Sequence, residues 1–235
     1  MRRVIFQFYE GQMKPATTAA INDLKTKAER AGYQHELYDL NRLLAEIKDE
    51  NTVEAIRRMW KYLPFTMAAS ATSDYFRYWC LKNGGIYCDD DVYCTVDEFP
   101  KLPENDGVFT CSEQTHRHLL NTCVTIANGL QGALYSRIME HIGSEILKHT
   151  WLCSYDDCKK NAEILKSRPW SLIGYLGPGL VRNYMPLLIQ NGVIVERMPY
   201  ELCSSHDYTS KLFHLGSGTW CFGGKGNPNA QKLKK

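Results

Sequence analysis

The chain has 235 residues, of which 44% are hydrophobic and 23% charged, with a formal net charge of +2. Those totals fit one large globular domain rather than a disordered or fibrous chain. So small a net charge gives no global field for nucleic acid or an anionic membrane, and no apolar run reaches the ~18 residues of a membrane-spanning helix.

The opening Met1-Arg2-Arg3-Val4-Ile5-Phe6-Gln7-Phe8-Tyr9-Glu10 has two positive charges, but its apolar run is too short for a signal peptide. It reads as a first strand. Lys14-Pro15 suits a helix entry; Ala20, Leu24, Ala28 and Ala31 recur at helical spacing until Gly32. Alternation over Tyr33–Tyr38 predicts a second strand. Polar-faced helices are expected over Asn41–Asp49 and Thr52–Leu63, then a longer one from Met67 to Lys82, ended by Asn83-Gly84-Gly85.

A strand at Ile86–Cys88 follows, with further strands at Gly107–Cys111 and Thr122–Ala127 and a helix over Ala133–Lys148. Trp151–Ser167 is polar and helical in places. Gly177-Pro178-Gly179 opens another helix ending near Gln190, and Val193–Val195 is a late strand. Strands alternating with helices predict an α/β fold with a mainly parallel central sheet, flanked by helices on both faces. One domain is expected over residues 1–230, with a basic flexible tail at 231–235. That tail, Lys232-Leu233-Lys234-Lys235, reads as solvated and frayed, leaving peripheral contact with anionic lipid open.

The nine cysteines stand at 80, 88, 94, 111, 123, 153, 158, 203 and 221, with no Cys-x-x-Cys pair. Zinc clusters want closer pairing, so buried free thiols in a reducing cytoplasm are expected. His116-Arg117-His118 reads as an exposed polar loop.

Asp89-Asp90-Asp91 follows directly on Gly84-Gly85-Ile86-Tyr87-Cys88. Packed carboxylates at the end of an apolar strand raise one another's pKa unless a cation arrives. On a strand, two carboxylates one residue apart point to the same side and can share one hard divalent ion, while Asp90 points away. Asp74 and Arg77 are three apart on the preceding helix, hence on one face. The glycine turn folds the strand back beside them. Carboxylate, guanidinium and metal-binding aspartates together suit a sugar nucleotide.

Ser73-Asp74-Tyr75-Phe76-Arg77-Tyr78, then Leu81 and Gly84-Gly85-Ile86-Tyr87-Cys88-Asp89-Asp90-Asp91-Val92, resembles the DxD region of glycosyltransferase family 32. Val4-Ile5-Phe6-Gln7 is similar to that family's opening nucleotide-binding strand, without its usual Pro-Lys-x-Ile-His start. Asn121 lies where members carry an asparagine facing the donor sugar, with backbone bonding at a strand end as the alternative. Gly177-Pro178 resembles the later Gly-Pro turn. His214-Leu215-Gly216-Ser217-Gly218-Thr219-Trp220 resembles the terminal stretch that reaches metal and diphosphate.

The resemblance implies a GT-A (Rossmann-like) fold and a metal-dependent, retaining transfer of a sugar from a nucleotide sugar, with UDP-linked donors favoured. The acceptor would be a glycan, lipid-linked or protein hydroxyl, as in polysaccharide biosynthesis. Asp91 and Asp89 would bind Mn2+ or Mg2+, with Asp89 also near ribose. Asp74 and Arg77 would meet the donor with Asn121, Ser217 and Trp220. Which of Ser217, Thr219 or His214 completes the metal shell stays open.

Two other functions compete. Haloacid-dehalogenase phosphatases also use Asp-x-Asp after a strand, but with Thr two beyond the second Asp, where this chain has Tyr93. A nucleotide-sugar- or glycan-binding protein with a degenerate transferase site is the non-enzymatic alternative.

Overall fold

The structure is a computed structural model that describes residues 2–13, 15–113, 120–168, 175–205 and 209–214. Strand β1 (Val4–Phe8), helix α1 (Pro15–Arg30) and strand β2 (Gln34–Tyr38) form a β-α-β unit, with Val4 beside Gln34 in parallel register. Helices α2 (Leu40–Glu46) and α3 (Glu50–Tyr62) each start on an aspartate cap. Asp39 accepts from the Arg42 amide and Asp49 from the Asn51 amide, satisfying amides that the helix leaves without partners.

Helix α4 (Phe65–Cys80) runs into a 3-10 turn at Leu81–Asn83 and then into Gly84 and Gly85, at φ +79° and +128°. Both positions exclude a side chain. A Cβ on Gly84 would stand 3.2 Å from the Ala127 carbonyl oxygen, and one on Gly85 3.1 Å from that of Val4. This close approach seats strand β3 (Gly85–Cys88) parallel to β1 and antiparallel to β6 (Leu120–Asn128).

The remaining elements are β4 (Val92–Cys94), β5 (Gly107–Glu113), α5 (Gly129–Trp151), α6 (Tyr155–Ser167), α7 (Pro178–Asn183), α8 (Met185–Gln190), β7 (Val195–Arg197), β8 (Cys203–Ser205) and β9 (Leu212–His214). The helix expected after Gly177 is divided at Tyr184, because Pro186 has no amide and its ring crowds the carbonyl four residues back. The late strand begins at Val195, not Val193. Gly192 (φ +75°) ends α8, and the Val193 amide bonds to the Leu188 carbonyl instead of entering the sheet.

Among the described residues the strands form one sheet in the order β2-β1-β3-β6-β5-β8-β9-β4, with β7 also on β5. The sheet is mixed: among the described residues five strand pairings are parallel, in line with the expectation of a mainly parallel sheet, and three are antiparallel. β6 runs antiparallel to both neighbours, and β4 antiparallel to β9. Only residues 114–119 join β5 to β6, too few for the crossover a parallel pair requires.

Alternation along β1 splits the core. Val4, Phe6 and Phe8 face the side built by α2–α6, whereas Ile5 joins Ile86 and Cys88 against Leu24 and Ala28 of α1. Helices therefore cover both faces, as expected. The hydrogen-bonded path from β3 through β6, β5, β8 and β9 ends on β4, which the chain reaches after only Asp89–Asp91. The sheet curls back on itself at the aspartates.

The expectation of free thiols throughout is also corrected. Cys111 on β5 and Cys203 on β8 form a disulfide, their Cα atoms 5.3 Å apart. Parallel register puts Ser112 beside Ser204, so the preceding pair comes face to face. Cys80, Cys88, Cys94, Cys123, Cys153 and Cys158 are free thiols, and Cys221 lies outside the described residues. No described helix is long and apolar enough to cross a membrane.

Candidate metal centre

The three aspartates form a turn rather than the end of a strand. The Val92 amide donates to the Asp89 carbonyl at 3.2 Å, and Gln7 Nε2 donates to the same oxygen at 3.0 Å. On the other side the Asp89 amide donates to the Cys123 carbonyl at 2.8 Å. The backbone of Asp89 is thus pinned by β1 and β6 together. Strand alternation does not apply in a turn, and Asp90, expected to face away, is half-buried within it. Burial, then Asp91 and Asp89 beside it, raises the Asp90 carboxyl far above the carboxylate range.

Helix α4 supplies the charge behind the turn. Arg77 donates to Asp74 Oδ1 at 2.7 Å and to Asp89 Oδ1 at 3.1 Å, with its guanidinium carbon 4.6 Å from the Tyr87 ring centre. Tyr87 donates its hydroxyl to Asp89 Oδ1 at 2.5 Å and lies 2.7 Å from Ser73 Oγ. One oxygen of Asp89 is therefore held by two donors. Burial opposes the Arg77 charge, but Tyr87, Asp74 and Asp89 outweigh it and raise its pKa. Burial pushes Asp74 up to about 6 against the pull of Arg77. The arrangement is a buried ion triad, rigid because breaking any one member strands the others.

The third component arrives from the far end of the chain. β9 pairs antiparallel with β4, Val92 opposite His214, so the imidazole lands beside Asp91. His214 Nε2 is 3.0 Å from Asp91 Oδ1 and 3.5 Å from Asp89 Oδ2. Burial disfavours the imidazolium, but Asp91 and Cys123 outweigh that and raise the His214 pKa well above its usual value. One ligand atom each from Asp89, Asp91 and His214 lies within 4.8 Å of the others. Their side chains keep 21, 16 and 15% exposure against 4% for Arg77. The three ligands can be reached from solvent, and the guanidinium cannot.

Two carboxylates and an imidazole are a donor set for a divalent cation, with oxygen ligands for a hard ion and nitrogen for a first-row transition metal. The residues present fit such an ion. The two carboxylates face each other across the imidazole, a position that suits a cation.

The structure brings together Asp74, Arg77, Asp89, Asp91 and His214 from the sequence expectations. Asn121 Oδ1 accepts from the Cys123 amide at 3.0 Å, which is the strand-end backbone bond of the alternative reading. Ser217, Thr219 and Trp220, like His116-Arg117-His118 and the 231–235 tail, lie outside the described residues. Gly177-Pro178 does open a helix, and the Tyr78 hydroxyl donates to the Leu176 and Gly177 carbonyls.

Sequence reasoning missed Gln7 and Cys123. Gln7 is fully buried, linking Asp89 to His35, whose Nε2 is 2.7 Å from Gln7 Oε1. A lone polar residue inside Val-Ile-Phe-Gln-Phe was the available signal. Cys123 had none. It sits in a bulge, because Thr110 faces Thr125 while Cys111 faces Asn121, leaving Thr122, Cys123 and Val124 extra on β6.

No protein-family model matches the sequence, and no curated protein matches it. Among solved structures, a glycosyltransferase involved in the glycosylation of the major capsid of PBCV-1 matches over 99% of this chain and 98% of its own. The TM-score is 0.50 and the identity 14%. At that identity the likeness speaks for the fold. A glycosyltransferase is built on the same mixed α/β architecture along its whole length.

Proposed function

We propose that this protein is a metal-dependent glycosyltransferase that takes its sugar from a nucleotide diphosphate, with Asp89, Asp91 and His214 as ligands of the ion. The observation that carries the reading is their convergence from two distant segments at the curl of the sheet, backed by the buried Arg77. The fold shared with a glycosyltransferase supports it, as does the resemblance of residues 73–92 to the DxD region of glycosyltransferase family 32.

The imidazole favours Mn2+ over Mg2+, since magnesium prefers oxygen ligands. When bound, the ion would supply Lewis-acid stabilisation of the diphosphate as the anomeric bond breaks. The protein's own residues do the positioning. Arg77 and Tyr87 fix one Asp89 oxygen, leaving Oδ2 turned toward His214. Gln7 holds the Asp89 carbonyl. Asp74 balances Arg77 from behind, so the guanidinium stays charged and fixed while the charge at the site changes.

Retention of anomeric configuration, UDP as donor nucleotide and a glycan, lipid-linked or protein hydroxyl as acceptor are parts of the same proposal. They rest on the family resemblance. A panel of nucleotide sugars screened by thermal shift with and without Mn2+, then assayed for turnover, tests it. Stabilisation by one donor only with Mn2+, followed by release of its nucleotide, is the expected result. Tight binding without hydrolysis or transfer to any acceptor points to a binding protein instead.

A further inference from the structure

The curl of the sheet encloses a second cluster. Cys111, Cys123 and Cys203 are buried, and their sulfur atoms lie within 4.8 Å of one another. Cys111 and Cys203 are joined, while Cys123 keeps its thiol. That thiol lies against the His214 ring, close enough to hydrogen-bond to it. A disulfide, a free thiol and a candidate metal ligand are therefore contiguous.

We propose that Cys111, Cys123 and Cys203 form a redox-modification site whose disulfide holds His214 in place for metal binding. The inference rests on the metal-centre reading and adds a control to it.

His214 reaches the main sheet through β9 and then β8. Among the described residues β8 and β9 are three residues each, and β8 meets β5 at the register pairs Ser112–Ser204 and Glu113–Ser205. The disulfide locks the start of that ladder. β9 then follows β8 residue by residue, from Cys203 beside Leu212 to Ser205 beside His214. Whatever moves Cys203 relative to Cys111 moves the strand that carries the imidazole.

Reduction forces such a movement. A dithiol supplies two electrons and two protons; the sulfur–sulfur bond breaks to two thiols, and the reagent leaves as its cyclic disulfide. Two unbonded sulfurs need a separation of roughly 3.5–4 Å. A close-packed interior has no slack for it. All three sulfurs are enclosed, so the displacement passes to β8 and to Cys123, and both adjoin His214. A small-molecule disulfide reverses the step, taking up the two electrons and two protons as it is reduced to its thiols.

The test is a calorimetric Mn2+ titration of the full chain, oxidised and dithiol-reduced, with the reagent removed under nitrogen beforehand. Reduction should weaken Mn2+ binding about tenfold or more, and reoxidation should restore it. Cys111→Ser/Cys203→Ser should bind weakly in both conditions. Cys153→Ser, which removes the other close thiol pair (Cys153 and Cys158 sulfurs 3.6 Å apart), should keep the full difference.

Peptide mapping of the unreduced protein guards against a folding failure of the double variant, and should find Cys111 linked to Cys203. Equal Mn2+ affinity in the two redox states overturns the proposal and leaves the metal centre standing. So does a reduced protein that takes up Zn2+ through the three thiols with its Mn2+ affinity unchanged. Absence of Mn2+ binding in either state strikes the metal-centre reading itself, and this inference with it.

Discussion

The two sides of the metal centre are built differently. The α4–β3 side carries Asp74, Arg77, Tyr87 and Asp89 on one continuous stretch, anchored in the main core by Tyr87 and tied by two ion pairs that share the Arg77 guanidinium. The β8–β9 side offers His214 from a separate ribbon, held among the described residues by its pairing with β4 and by one disulfide. A rigid wall fixes the charge, while a strand from a distant part of the chain supplies the last ligand. Substitutions of Asp74, Arg77 and Tyr87 should therefore act on stability, and those of His214 on ion binding with the fold intact.

Arg77→Ala is the strongest way to break that contrast. It leaves Asp74 and Asp89 facing each other without a counter-charge, and should cost about 3–5 kcal/mol in a urea melt. A loss under 1 kcal/mol would mean that the wall is not rigid. His214→Ala should weaken Mn2+ binding roughly 10–100-fold, the scale at which groups supporting a metal act, with the urea midpoint nearly unmoved. A comparable loss of stability would make His214 structural, equal in kind to Arg77.

Smaller effects sharpen the boundary. Asp49→Ala removes the α3 cap, along with its contacts to Thr52 and Lys148, far from the centre. It should cost about 1 kcal/mol in the same melt and leave Mn2+ affinity untouched. The mildest test is acidification. Burial, then Lys25, lowers the His35 pKa, so the fold prefers the neutral ring. That contribution is complete above the unfolded value of about 6.5 and is lost as pH falls through the depressed folded value. Thermal midpoints measured from pH 7 down to 5 should fall less steeply in His35→Asn than in the parent.

The wall was legible in the sequence because its determinants are local. The glycine pair before Ile86 and the i,i+3 pair Asp74–Arg77 each report on neighbours within a turn or two. The ribbon was not. That His214 meets Asp91 follows from the pairing of Val92 with His214 across most of the chain, and residue type alone does not encode register. The Cys111–Cys203 bond was hidden for the same reason, since spacing says nothing of which strands become neighbours.

The mixed sheet is a different case. The connection of residues 112–121 between the two strand patterns is already shorter than the dozen residues a crossover takes, so the antiparallel β5–β6 pair was readable by counting. The aspartates themselves were found as a run directly after an apolar strand, although they lie in a turn and not on alternating strand positions.

One measurement bears most directly on the whole account: Mn2+ binding followed by electron paramagnetic resonance in the parent protein and in Asp91→Asn, a near-isosteric change that removes the charge. The account predicts one bound ion per chain in the parent and affinity reduced at least a hundredfold in the variant, at unchanged thermal stability. Equal stoichiometry and affinity in both proteins would contradict it.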